Sequence, residues 1–204
     1  MITILSYGSG NVNAIANIFS KEGIPFEIAG NANSLANASK VVLPGVGAFD
    51  QTMDLLNESG MRETLDQLVL SERIPVLGVC VGMQVMAKRS DEGIASGLGW
   101  IDAVVKQMDT SSLDAKPYLP HMGWNSIHQR QPHRILDGVD EKRGFYFLHS
   151  YCFHSSDPAN ILTTTVYGQE FCSSVVAGNI FGFQFHPEKS HSNGIRLFKN
   201  FAEL

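Results

Sequence analysis

Residues 74–82 read IPVLGVCVG, apolar at almost every position and closing on Gly-Val-Cys-Val-Gly. A strand with one wet face alternates polar and apolar residues; a strand covered on both faces reads as a continuous apolar run. This run therefore demands a sheet sandwiched between two other layers. ITILS (2–6), PFEIA (25–29) and KVVLPG (40–45) look like further strands. Helical spacing of apolar residues fills 12–21, 49–57 and 61–70 between them. Strand and helix in alternation predict an α/β fold with three layers and a mostly parallel central sheet, helices on both faces.

After about residue 100 the character changes. DAVVKQM, WNSIH, GFYFLHSYCF, NILTTTVYG and CSSVVAGNIFGFQFH are short β-rich runs with Gly and Asn at the joints, which predicts an antiparallel, β-rich C-terminal half. SNGIRLFKNFAEL (192–204) predicts a closing amphipathic helix with Ile195, Leu197, Phe198 and Phe201 on its apolar face. No linker composition interrupts the chain, and 204 residues suit a single domain over 1–204.

Composition narrows the function. A net charge of -5 argues against a nucleic-acid partner, which needs a basic face. No run reaches the roughly 18 apolar residues that would cross a bilayer, and no basic segment leads the N-terminus, so a cytoplasmic protein off the membrane is expected. Cys80, Cys152 and Cys172 are widely spaced and form no CxxC pair, so neither a zinc site nor a disulfide framework is expected; the reading calls for no metal and no cofactor. In a reducing compartment a thiol stays free for chemistry.

Cys80 sits where a strand turns into a helix, with Gly78 and Gly82 two residues to either side. This is a thiol version of the nucleophile elbow, the sharp turn that holds an attacking atom above a sheet. Glycines at those places remove Cβ atoms where backbones crowd. The free N–H groups at a helix start favour thiolate over thiol, and the amide after the nucleophile, Val81, can bind a developing oxyanion. A buried structural cysteine is the plainer reading of any single cysteine; the flanking glycines at a strand-to-helix turn count against it.

A nucleophile needs a base. Of the seven histidines, His128, His133, His154 and His191 lie in polar stretches and are expected in solvent, while His121 and His149 lie in richer contexts. His186 follows FGFQF and precedes Pro187-Glu188. Proline disfavours helix at the residue before it, which keeps His186 extended. Residues i and i+2 of an extended chain share a face, so Glu188 can take the ring N–H of His186 and leave the other nitrogen for the thiol. A Cys80–His186–Glu188 triad results.

With these residues the sequence resembles the class I (triad-type) glutamine amidotransferases. LPGVGAFDQTM (43–53), GVCVGMQVMAKRSDEG (78–93), PHMGWN (120–125), FYFLHSY (145–151) and GFQFHPEKS (182–190) carry the resemblance in order, together with YGSGNV (7–12). The resemblance implies a glutaminase that forms a glutamyl thioester on Cys80, with His186 as proton carrier and Glu188 as its orienter. It implies an oxyanion hole from Val81 and from the Pro44-Gly45-Val46-Gly47 loop, specifically Val46 and Gly47. Glycines flanking Val46 ease a peptide flip, so that second donor could be switched by a partner. It places Gly45, Gly82, Gln84, His149, Ser150 and Tyr151 at the substrate glutamine. It places Asn11, Met122, Trp124 and Lys189 at the interface with a (β/α)8-barrel synthase subunit, which uses the ammonia in histidine biosynthesis.

Three other readings stay open at this point. A paralogous amidotransferase subunit would supply ammonia to another acceptor, such as a surface-polysaccharide sugar, and Val81 stands where leucine is commoner. A peptidase or γ-glutamyl hydrolase would usually carry histidine directly after the cysteine, where this chain has Val81. A non-catalytic binding protein would usually have lost a triad member.

Overall fold

The computed structural model describes residues 1–113, 116 and 118–204. The first half alternates as expected: β1 (Ile2–Leu5), α1 (Val12–Lys21), β2 (Phe26–Ala29), α2 (Ala32–Leu35), β3 (Lys40–Gly45), α3 (Phe49–Glu58), α4 (Arg62–Asp66), β4 (Val76–Cys80) and α5 (Val81–Gln84). A π-helical turn, Gln67–Ser71, extends α4. The second half holds β5 (Arg89–Ser90), β6 (Ala103–Gln107), β7 (His121–Asn125), β8 (His128–Gln129), β9 (Phe145–His149), β10 (Tyr151–Ser155), β11 (Ile161–Tyr167), β12 (Gln169–Ala177), β13 (Ile180–Phe183) and α6 (His191–Glu203).

Eleven strands share one sheet whose main path runs β2-β1-β3-β4-β13-β12-β10-β6-β5. β2, β1, β3, β4 and β13 are mutually parallel. From β13 onward to β6 the pairs are antiparallel. Strands β1, β4 and β13 are buried at every residue, which requires cover on both faces. α1 and α6 meet through Phe19 and Phe198, edge to face at 5.1 Å.

β13 departs from expectation. The FGFQF run reads as part of an antiparallel half, yet β13 lies parallel beside β4 and antiparallel beside β12. It is the seam at which the two halves become one sheet. WNSIH is likewise not one strand. Trp124 and Asn125 end β7, which pairs with β9 in a separate two-stranded sheet, while His128 opens β8 in the main sheet. The helix predicted after Cys80 is only four residues long.

α6 buries two residues that its apolar pattern passes over. Asn193 Nδ2 donates to the Asp140 and Gly144 carbonyls, and Asn200 Nδ2 to those of Ile135 and Asp137. A loop with buried carbonyls needs such donors. Among the described residues no helix is long and apolar enough to cross a membrane.

Candidate active site

Strand register brings the site together. Gly45 lies opposite Cys80 at the ends of β3 and β4, and Phe183 of β13 lies opposite Val79. The chain that leaves Phe183 therefore reaches His186 at the level of Cys80. This is the carboxyl edge of the parallel strands, the usual ligand side of such sheets.

Cys80 has φ 56° and ψ -114°, a left-handed backbone that is costly for any residue with a Cβ. The turn is held by close backbone approaches. A Cβ at Gly82 would overlap the Leu43 carbonyl oxygen, and one at Gly45 would overlap the Gly82 nitrogen. These two glycines touch each other behind the site rather than lining it. Val81 and Gln84, on α5, do line it.

The pocket above Cys80 has a volume of about 300 Å³, the lower end of small-molecule sites. Val46, Gly47, Cys80, Val81, Gln84, His149, Ser150, Tyr151, His186 and Lys189 all border it. Thus residues named from four separate motifs converge on one hollow. Sequence reasoning missed Glu92, Pro120 and Leu148, which complete the rim. It also missed Gln184, fully buried in the FGFQFH stretch, whose Nε2 approaches Cys80 Sγ at 3.9 Å.

His186 is extended, as Pro187 requires, but Glu188 is not on an extended strand. Pro187–Lys189 form a 3-10 turn, and the His–Glu pair closes across it. His186 Nδ1 and Glu188 Oε1 are 2.8 Å apart, with both side chains almost wholly buried (3% and 2% exposed). The Tyr146 carbonyl accepts the His186 N–H, while Ser190 Oγ accepts the Tyr146 N–H and donates to the His186 carbonyl. β9 therefore clamps the turn that carries the base. Burial alone would lower the His186 pKa. Hydrogen bonding to Cys80 and Glu188, and the negative charge on both, outweigh burial and raise it to about 10. The second Glu188 oxygen, Oε2, is buried without a hydrogen-bond partner, which leaves Oε1 and the carboxylate charge committed to the imidazole.

Gln84 is buried, with Nε2 donating to the Tyr151 carbonyl and to Gln184 Oε1. That orientation leaves its amide oxygen as the group it can offer the pocket. Val46 is 45% exposed, yet its N–H points away from the pocket centre to Ser9 Oγ at 3.0 Å. Of the expected oxyanion donors, the Val46 amide is therefore held off the site in this state. Asn11 caps α1 through Oδ1 and lies in a separate shallow hollow with Gly10. Met122 (64% exposed) and Trp124 (43%) stand out from β7. Trp124 stacks on His191, which is exposed as expected. Lys189 is exposed and lies over the Tyr146 ring.

This geometry of elbow thiol, buried histidine and carboxylate agrees with comparison to known proteins. Residues 3–204 match the glutamine amidotransferase class-I family. The chain belongs to the class I glutamine amidotransferase family. Among its curated relatives, the "Imidazole glycerol phosphate synthase subunit HisH" of Bdellovibrio bacteriovorus is 46% identical over 204 residues, covering all of both chains. The protein of the same name from Leptospira interrogans is 44% identical, again with full coverage of both. The fold of this amidotransferase is similar to that of the PurLQS structure from Thermotoga maritima, with a TM-score of 0.74 at 15% identity, covering 99% of this chain and 97% of that one.

Proposed function

We propose that this chain is the glutaminase subunit of an imidazole glycerol phosphate synthase, hydrolysing glutamine and passing ammonia to a synthase subunit in histidine biosynthesis. Full-length identity to relatives bearing that synthase name supports this acceptor over a sugar-aminating pathway. The observation that carries the chemistry is the buried His186–Glu188 pair beside the strained Cys80 at the floor of one pocket.

The steps follow from the charges. His186, oriented by Glu188, takes the Cys80 thiol proton as the sulfur attacks. Sulfur attacks the carboxamide carbon, and the Val81 N–H receives the developing oxyanion. His186 gives its proton to the departing nitrogen, the C–N bond breaks, and ammonia leaves a glutamyl thioester. His186, now neutral, takes a proton from water as the water attacks the thioester; glutamate leaves and the thiolate returns. Glu188 keeps the Nδ1 proton in place throughout. Glu92 and Lys189 at the rim offer opposite charges to the ammonium and carboxylate of a free amino acid.

Free ammonia in water is mostly protonated and no longer a nucleophile, so its user has to dock over the pocket mouth. Met122, Trp124 and Lys189 form an exposed apolar and cationic surface beside it, suited to a second subunit. The partner reading calls for a (β/α)8-barrel synthase, and it assigns Asn11, in its separate hollow, to the same interface. The test is glutamine hydrolysis by the purified chain mixed with a synthase subunit, in wild type and Cys80→Ala, alongside complementation of a histidine auxotroph. Hydrolysis that survives Cys80→Ala would overturn the chemistry. Failure to complement, with hydrolysis intact, would overturn the pathway.

A further inference from the structure

A buried histidine pair that the triad does not use runs from the pocket wall at His149 back to His121. His121 of β7 and His149 of β9 face each other in register, with His121 Nδ1 and His149 Nε2 3.0 Å apart. His149 Nδ1 lies 2.9 Å from the Tyr151 carbonyl oxygen. Asn125 Nδ2 lies 3.2 Å from His121 Nε2 and 2.9 Å from the Val166 carbonyl, and Asn125 Oδ1 accepts the Ser126 N–H.

The ends of this chain assign every proton in it. A carbonyl only accepts, so His149 carries its proton on Nδ1 and donates to Tyr151. His149 Nε2 then accepts, so His121 donates from Nδ1. His121 Nε2 in turn accepts from the Asn125 amide, whose orientation is set by its other two bonds. Both rings are neutral, and all the bonds run one way, from Asn125 to Tyr151.

The terminus of the chain matters. The Tyr151 carbonyl also accepts Gln84 Nε2, and Gln84 reaches Gln184, which touches Cys80 Sγ. It stands just after Ser150, where the strand breaks between β9 and β10 and backbone faces the pocket. At the other end, β7 carries the exposed Met122 and Trp124.

We propose that His121 and His149 form a neutral, one-directional hydrogen-bond relay through which β7 positions the 148–151 wall and Gln84 for glutamine. His121 is a positioning residue acting through His149; the proposal rests on the glutaminase reading for its substrate. The surroundings suit a neutral pair. His121 is stacked between Phe147 at 4.8 Å and Tyr167 at 4.2 Å, and Phe171 of β12 packs against both rings. The titratable groups facing the pair are Tyr167 behind it and Cys80, His186, Glu92 and Lys189 around the pocket. Among the described residues no carboxylate is within ion-pair distance of either ring, whereas Glu188 is so placed for His186. Burial drives both pKa values down, His121 to about 4 and His149 to about 3, and the positive charge of His186 adds to the effect on His149.

Two measurements test the relay. In the full-length chain, long-range proton–nitrogen NMR of the histidine rings should find both neutral, protonated on Nδ1, from about pH 8 to about pH 5.5. An Nε2–H tautomer or a charged ring at either position in that range overturns the proposal. This readout needs no activity, so it can fail while the glutaminase reading stands, and the reverse. In the complex with the synthase subunit, His121→Phe keeps the aromatic stack but removes the donor to His149. The expected result is a KM for glutamine raised at least about fivefold, with kcat little changed. A folded His121→Phe with wild-type KM overturns it; if that variant does not fold, the NMR measurement decides.

Discussion

The Ser9 hydroxyl holds Val46 at both of its peptides. It accepts the Val46 N–H at 3.0 Å and donates back to the Val46 carbonyl at 3.1 Å. Thr52 Oγ1 adds a longer contact to the same carbonyl. The loop expected to supply an oxyanion donor is thus fastened in the wrong direction for catalysis. Ser9→Ala removes the fastening. One hydrogen bond contributes about 0.5–1.5 kcal/mol, so glutaminase turnover of the chain without its synthase partner should rise about 2- to 10-fold. The ratio of stimulated to basal rate should shrink by the same factor, and an unchanged basal rate would rule out the latch.

Protonation of His186 couples the triad to stability. Burial would lower its folded pKa, but Cys80 and Glu188 outweigh burial and raise it to about 10, from an ordinary value of about 6.5. The folded state then binds a proton that the unfolded chain releases. The stabilisation is complete below about pH 6.5 and is lost as pH climbs toward 10. Glu188→Gln removes the carboxylate charge, so its deficit relative to wild type in urea denaturation should be largest near about pH 6 and fade by about pH 10. Its hydrolysis rate should fall by about 10²- to 10⁴-fold, the usual reach of acid–base assistance.

Gly82 lets the elbow touch β3. Gly82→Ala would push a methyl group into the Leu43 carbonyl. A loss of about 1–3 kcal/mol is expected in chemical denaturation, together with a displaced Cys80 and loss of glutaminase activity. A variant as stable as wild type would contradict the packing.

Trp124→Ala should separate assembly from folding. The side chain is 43% exposed and, among the described residues, its ring stacks only on exposed His191, so unfolding should shift by no more than about 0.5 kcal/mol. If it anchors the synthase subunit, binding should weaken by about 30-fold or more, as for interface aromatics generally. Isothermal titration of the two subunits measures this; an unchanged Kd would move the interface elsewhere.

The parts legible in the sequence were those with strong local signals. KVVLPG spans the same residues as β3, and α1 begins and ends where its spacing predicts, because continuous apolar runs and 3.6-residue periodicity survive any tertiary context. The elbow glycines were legible because backbone crowding leaves one residue type. The seam strand was not: β13 reads the same whether its neighbour is parallel or antiparallel, since pairing direction leaves no mark on a fully buried strand. Gln184, Asn193 and Asn200 were hidden for a different reason. A buried amide is defined by the carbonyls or sulfur it meets, and those lie far away in sequence. The His186–Glu188 contact was expected for the right residues with the wrong backbone, a 3-10 turn in place of an extended strand.

Because β13 is the last of the described strands, β4 is an edge until synthesis is almost complete, and the thiol leaves the ribosome roughly a hundred residues ahead of the imidazole. Unfinished chains therefore carry Cys80 without the His186–Glu188 pair. A copy truncated before β13 lacks the imidazole that the proposed chemistry requires, since the strand that completes the sheet also delivers His186 to the level of Cys80.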